Sequence, residues 1–254
     1  MRRAQRTVVV GLGAVAWWLV SCREIPAPEG GVASISALLL PSPGLVVNDT
    51  LRDSTGLVAP LRVIAYGIDG DTVAGAQSTF VALDSGAHLS GALLIGDKEG
   101  RTVQIVGTVA SLQTRPTPVK VTLSPDLIIA TDSTLHRKTF LLVSGDTIVT
   151  SADLATSVVH NGASATGVEA VIVRYAIVQS PPGNGNGPTL VLLNGSIASS
   201  RDTTDAAGRA ARTARLRLAA VTNALADTAI LRATASYRGA TIGTVTFTLI
   251  FTAQ

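Results

Sequence analysis

Cysteine and methionine occur once each in a chain of 254 residues. A lone thiol excludes an intrachain disulfide and any cysteine-built zinc cluster, so no covalent staple holds the fold. Aromatic residues make up 4% of the chain and charged residues 15%. A sustained helical period is almost absent as well. What fills the chain instead is Val, Thr, Ala and Gly with a scatter of Pro, 46% of it apolar. β-Branched side chains fit a pleated sheet, while Gly and Pro punctuate turns, so the composition points to an all-β protein. The length suits one large or two ordinary domains of about 100–200 residues each.

The N-terminus reads in three parts. Arg2, Arg3 and Arg6 form a basic n-region, and Val8 to Val20 follows as an uncharged apolar run too short to span a bilayer. The run closes on Leu19-Val20-Ser21-Cys22. This resembles the bacterial lipobox, in which apolar and small residues precede an obligatory Cys. The resemblance implies cleavage after Ser21, a diacylglycerol thioether on Cys22, and acylation of the new N-terminus. The sole cysteine occupies the one position where such a signal needs it. Two or three acyl chains anchor stably where a single one does not. Arg23 stands where an Asp would signal inner-membrane retention by analogy with enteric bacteria, so the expected location is the outer membrane of the envelope.

Removing the leader changes the electrostatics. Its three arginines account for the whole formal charge of +3, leaving seventeen basic and seventeen acidic side chains in the remainder. A near-neutral chain gives no basis for nucleic-acid binding. Arg209, Arg212, Arg215 and Arg217 are spread along an alternating segment and read as the solvent face of a strand.

Residues 22–31, beginning with the lipidated cysteine and continuing REIPAPEGG, form a Pro/Gly/Glu tether. Beyond it, expected strands cover Ser34–Leu40, Leu61–Tyr66, Ser78–Leu83, Thr102–Val109, Val119–Leu123 and Thr139–Val143. Others cover Ala170–Ile177, Thr189–Leu193, Arg212–Leu218, Thr228–Ser236 and Gly243–Phe251. Thr204–Val221 has the composition of a helix, but Ala214, Leu216 and Leu218 alternate with Arg215 and Arg217 as in a strand. The spelling D-x-x-G-R recurs at Asp97–Arg101 and Asp205–Arg209, each followed by strands that pair off as Val103–Thr108 with Ile230–Thr234 and Val119–Leu123 with Thr244–Leu249. The second copy has extra residues between turn and strand, read as an added hairpin-sized element.

Thr203 to Ala210 (TTDAAGRA) and Ala233 to Tyr237 (ATASY) resemble the turn and penultimate strand of bacterial immunoglobulin-like domains, found in tandem on surface proteins and on intimin- or invasin-type adhesins. The resemblance implies two tandem immunoglobulin-like β-sandwich domains, at 32–125 and 126–254, after a signal peptide at 1–21. In the turn, Asp97 or Asp205 caps and Gly100 or Gly208 accepts positive φ, a structural role without chemistry.

No catalytic set emerges. His88, His136 and His160 are far apart and lack a second ligand at i+2 or i+4. Asp69-Gly70-Asp71 supplies two oxygens where a calcium loop uses about six, and hairpin-turn chemistry explains the pair equally well. The carboxylates Asp97, Glu99, Asp202 and Asp205 also sit in turns. Ser180–Pro188 (SPPGNGNGP) is a long loop between two apolar strands with no aromatic or Arg anchor, read as a connector. Trp17 and Trp18 leave with the signal, so Tyr66, Tyr175 and Tyr237 are the rings left for glycan stacking apart from Phe. The resulting expectation is a non-enzymatic, lipid-anchored envelope module, structural or adhesive, without metal or cofactor. The alternative is a module that recognises a glycan, a peptide or an envelope protein through its loops or a sheet edge.

Overall fold

The computed structural model describes residues 31–140, 147–160, 166–181, 189–218 and 226–253. Strands follow one another in the order β1 (Ser34–Ile35), β2 (Gly44–Val46), β3 (Ala65–Tyr66), β4 (Ser78–Ala82), β5 (Ala87–Ser90), β6 (Leu93–Gly96), β7 (Thr102–Val109), β8 (Leu112–Gln113) and β9 (Thr117–Thr122). Next come β10 (Leu127–Ala130), β11 (Leu135–Phe140), β12 (Thr147–Thr150), β13 (Leu154–His160), β14 (Thr166–Gly167), β15 (Ile172–Gln179) and β16 (Thr189–Asn194). The last are β17 (Ile197–Ala198), β18 (Arg201–Thr203), β19 (Arg209–Leu218), β20 (Ala226–Tyr237) and β21 (Ala240–Ala253). No α-helix occurs among the described residues.

The later strands make a two-layer sandwich. One sheet runs β10-β13-β19-β16-β17, and the other runs β11-β21-β20-β15-β18. This partition, with β11 parallel to the last strand and β10 in the opposite sheet, is the immunoglobulin-like arrangement. Alternation drives the layering. On β21, Val245, Phe247, Leu249 and Phe251 are buried, while Thr244 and Thr246 between them are exposed. Tyr175 from β15 joins them, its hydroxyl 3.2 Å from Thr156 Oγ1 of the facing sheet. Burial pushes the Tyr175 phenol up to about 12, against the opposing effect of the Thr156 hydrogen bond.

The earlier strands have a thinner second layer. β2, β9, β7 and β4 form one sheet, with β2 parallel to β9, and the ribbons β1-β3 and β5-β6 stand apart from it. Their core of Leu45, Leu51, Leu94, Ile105, Val119 and neighbouring aliphatic residues includes no fully buried aromatic ring. The expected strands Ser34–Leu40 and Leu61–Tyr66 shrink to two residues each, joined further by isolated contacts such as Leu39 N to Arg62 O at 2.8 Å. Pro41, Pro43 and Pro60 deprive this region of ladder donors.

Other expectations change. The strand expected at Thr139–Val143 begins earlier, at Leu135, because it is an edge strand with only every second side chain turned inward; residues 141–146 lie outside the described residues. The segment that mixed helix and strand signals is a strand over Arg209–Leu218. Arg212 does not belong to its solvent face. Its side chain is 3% exposed, in phase with buried Ala210, Ala214 and Leu216. The position is tolerated because Asp202 receives its Nη1 at 2.8 Å and the carbonyls of Ala211 and Arg201 accept its other hydrogen bonds. In the repeat, β7 and β20 do hold the same place beside the last strand of their sheets. The turns before them do not correspond. Asp97–Arg101 leads straight into β7, whereas Asp205–Arg209 leads into β19, a strand of the opposite sheet. The extra element of the second copy is therefore a central strand of that sheet, not an added hairpin.

Candidate functional site

The lipobox residues Leu19, Val20, Ser21 and Cys22 lie outside the described residues, as does most of the Pro/Gly/Asn loop after Pro181. Of the two Asp-x-x-Gly turns, the second is capped by its own aspartate: Asp205 Oδ1 accepts the amides of Ala207 and Arg209, each at 2.9 Å. The first is not. The Asp97 carboxylate turns away to His88, with Oδ1 2.7 Å from Nδ1. Gly100 and Gly208 both have positive φ, +73° and +76°. A Cβ on Gly100 would meet open space, whereas on Gly208 it would stand 2.5 Å from the Val158 carbonyl oxygen.

Among the described residues, no group of three His, Cys, Asp or Glu side chains stands close enough to hold a metal. His136 packs its ring on Phe247 with centroids 6.0 Å apart. His160 meets Ser124 and Asp126, a composition reminiscent of a hydrolytic triad. The geometry differs: the Ser124 hydroxyl (3.2 Å), the Ser124 carbonyl (2.9 Å) and the Asp126 carboxylate (2.9 Å) all converge on the same ring nitrogen, Nδ1. A relay needs the nucleophile and the orienting acid on opposite nitrogens. This cluster ties the segment between β9 and β10 to the end of β13.

The densest polar constellation lies where the two layered units meet, and the sequence reading did not find it. Asp49 follows β2 and is 8% exposed. Arg52 grips it in a fork, Nε to Oδ2 and Nη2 to Oδ1, both at 2.9 Å. The Thr50 amide donates to Oδ1 at 2.8 Å. From the tip of the β20–β21 hairpin, Tyr237 donates its hydroxyl to Oδ2 at 2.6 Å and Arg238 its Nε at 3.2 Å. Both guanidinium groups lie over the Tyr237 ring, 5.6 Å and 5.3 Å from its centroid. Burial alone would raise the Asp49 pKa, but the hydrogen bonds from Arg52, Tyr237, Thr50 and Arg238 outweigh it and hold the carboxyl far below the usual carboxylate range. Burial, then the hydrogen bond and charge of Asp49, push the Tyr237 phenol up to about 12.

Backbones also touch along this seam. A Cβ on Gly56 would come within 2.7 Å of the Gly239 amide nitrogen, and one on Gly44 within 2.5 Å of the Ala170 carbonyl oxygen. Lys120 reaches Glu169 at 3.1 Å, and the Arg174 guanidinium donates to the Ser54 hydroxyl. A narrow cleft remains, lined by Ser42, Thr50, Ser54, Thr122 and Tyr237. The signal that could have revealed this site is the two-residue turn Arg238-Gly239 between two long strands. Here the turn has positive φ at both positions, as in type I′, yet Arg occupies one of them at +52°. Its reach to Asp49 accounts for that choice.

No protein-family model matches the chain, and no curated protein matches its sequence. Solved structures similar to it include surface layer protein SbsC, domains 4–9, at 13% identity and a TM-score of 0.30, covering 88% of this chain and 31% of that one. The cadherin-like domains 1 to 4 of zebrafish RET are similar at 9% identity and a TM-score of 0.34, covering 83% of this chain and 46% of that one. Human mucin-like protocadherin EC1-2 is similar at 13% identity and a TM-score of 0.28, covering 87% and 97%. The chain spans less than half the length of the first two.

Proposed function

We propose that this chain is a lipid-anchored, non-catalytic structural module of a bacterial cell envelope, holding its second sandwich at a fixed reach and orientation from the membrane. The observation that carries the reading is the seam: a buried carboxylate receives donors from both units, and Gly44 and Gly56 bring backbones into contact. Flexible domain pairs meet through looser polar surfaces. The anchor is proposed from Leu19–Cys22, and the outer membrane from Arg23. Cys22→Ala tests it. Labelling with a fatty-acid probe is expected to vanish and the protein to stay unprocessed or be released; undiminished labelling would remove the anchor from the proposal.

A second reading, recognition through a sheet edge, is favoured by β15. It pairs with β18 only over Ile172–Arg174, and beyond that Ile177 and Val178 stand exposed at 36% and 50%.

A further inference from the structure

The outer face of the β11-β21-β20-β15-β18 sheet carries charge of one sign. Register and alternation place Arg137 of β11, Arg174 of β15, Arg201 of β18 and Arg232 of β20 on it. Its outward positions on these five strands include no Asp or Glu. Asp202 of β18 is turned the other way, toward Arg212.

Three of the four cluster. Arg201 lies directly across from Arg174, and Arg232 is the diagonal neighbour of Arg174, because it stands two residues from Thr234, which faces Arg174. Like charges directly opposite in a sheet destabilise it. Asp53 of the first unit approaches Arg174 closely enough for the arginine to lower its pKa, though less than the Thr55 hydroxyl does. Arg174 also donates to the Ser54 hydroxyl and its Nε is buried, so the charge left open on this face is that of Arg201 and Arg232. Around the cluster, Thr234, Thr244, Thr246 and Thr248 form rows of hydroxyls spaced about 7 Å along a strand and about 5 Å between strands.

We propose that this face binds an acidic polysaccharide, whose carboxylates neutralise the exposed Arg201 and Arg232 while its hydroxyls bond the threonine rows. The partner is a carbohydrate polymer and not a nucleic acid: no outward position on these strands holds an aromatic ring for base stacking, and Tyr175 points into the core. Arginine suits the task, since its planar fork pairs with a carboxylate through two bonds. The inference goes beyond the anchored-module reading and does not depend on lipid at Cys22, so either can fail alone.

The test uses the full chain in detergent micelles at low salt, titrated with alginate, uncharged dextran and single-stranded DNA. Saturable binding to alginate and none to dextran is expected. The double variant Arg201→Gln/Arg232→Gln is expected to weaken alginate binding by about tenfold with its melting temperature no lower than wild type. Arg115→Gln, an exposed arginine of the first unit, is expected to bind as wild type does. Binding by the double variant within twofold of wild type overturns the proposal. So does equal loss in Arg115→Gln, which would mean diffuse charge attraction. Tighter binding to DNA of matched charge would overturn the choice of polymer.

Discussion

Replacing Asp49 with Ala removes one carboxylate and strands five side-chain or backbone donors aimed at it, two of them from the second unit. Breaking a buried ion pair from one side costs about 3–5 kcal/mol. Arg52 is one-fifth exposed and Arg238 mostly so, and water recovers part of their loss, which brings the expected cost to about 3 kcal/mol. For a chain of this size that corresponds to a fall in melting temperature of roughly 6–12 °C. Tyr237→Phe removes one donor and leaves the ring beneath the guanidinium groups, so about 1–2 kcal/mol is expected. The informative quantity is the coupling between the two changes. If Asp49 and Tyr237 act together across the seam, the double variant loses less than the sum by at least about 1 kcal/mol. Calorimetry adds a second readout: a seam that joins the units makes them unfold together, and Asp49→Ala separates the transition into two. Strict additivity with an unchanged single transition would refute the coupling across the seam.

The seam also sets a pH window. The folded pKa of Asp49 lies below its unfolded value of about 4, so its stabilisation is present above pH 4 and declines as acid approaches the folded value. Tyr237 is raised from 10 to about 12, so its contribution is complete below pH 10 and lost as pH rises toward 12. Melting temperatures across pH 2–12 are expected to fall at both ends in wild type. In Asp49→Ala the acid fall is expected to be shallower, while much of the alkaline fall persists because burial, the larger cause at Tyr237 and Tyr175, remains. Gly100→Ala is expected to cost about 1–2 kcal/mol from φ alone, and Gly208→Ala clearly more because Val158 and Gly167 crowd it; equal melting of the two variants would contradict the packing. Asp202→Ala leaves Arg212 buried without its carboxylate and is expected to cost about 3 kcal/mol in urea unfolding, whereas Asp205→Ala, in an exposed turn, costs about 1 kcal/mol.

How much of this was legible depends on period. β7 and β21 announce themselves because every second residue is buried, and the expected spans Thr102–Val109 and Gly243–Phe251 lie within a few residues of the observed ends. β13 escaped notice because Leu154 to Val159 are all buried, so no alternation shows in Leu-Ala-Thr-Ser-Val-Val. Arg212 is illegible for the opposite reason. Its charge suggested solvent, and nothing local discloses that Asp202, ten residues earlier, lies across the gap between the sheets. The seam was the least legible feature. Asp49 and Tyr237 are 188 residues apart, and each taken alone looks like an ordinary turn residue.

The parallel pairing of β11 with β21 has a mechanical consequence. Leu135 lies beside Thr248 and Phe140 beside Ala253, so the start of β11 and the finish of β21 are at opposite ends of the same pair. Tension applied through the flanking chain would pull the two strands past each other lengthwise. Their bonds would then be loaded simultaneously, in shear, instead of opening singly like a zipper. The β2–β9 pair, also parallel, repeats the geometry in the first unit over three residues instead of six. A stretched molecule is therefore expected to yield first in the first unit, leaving the distal sandwich intact.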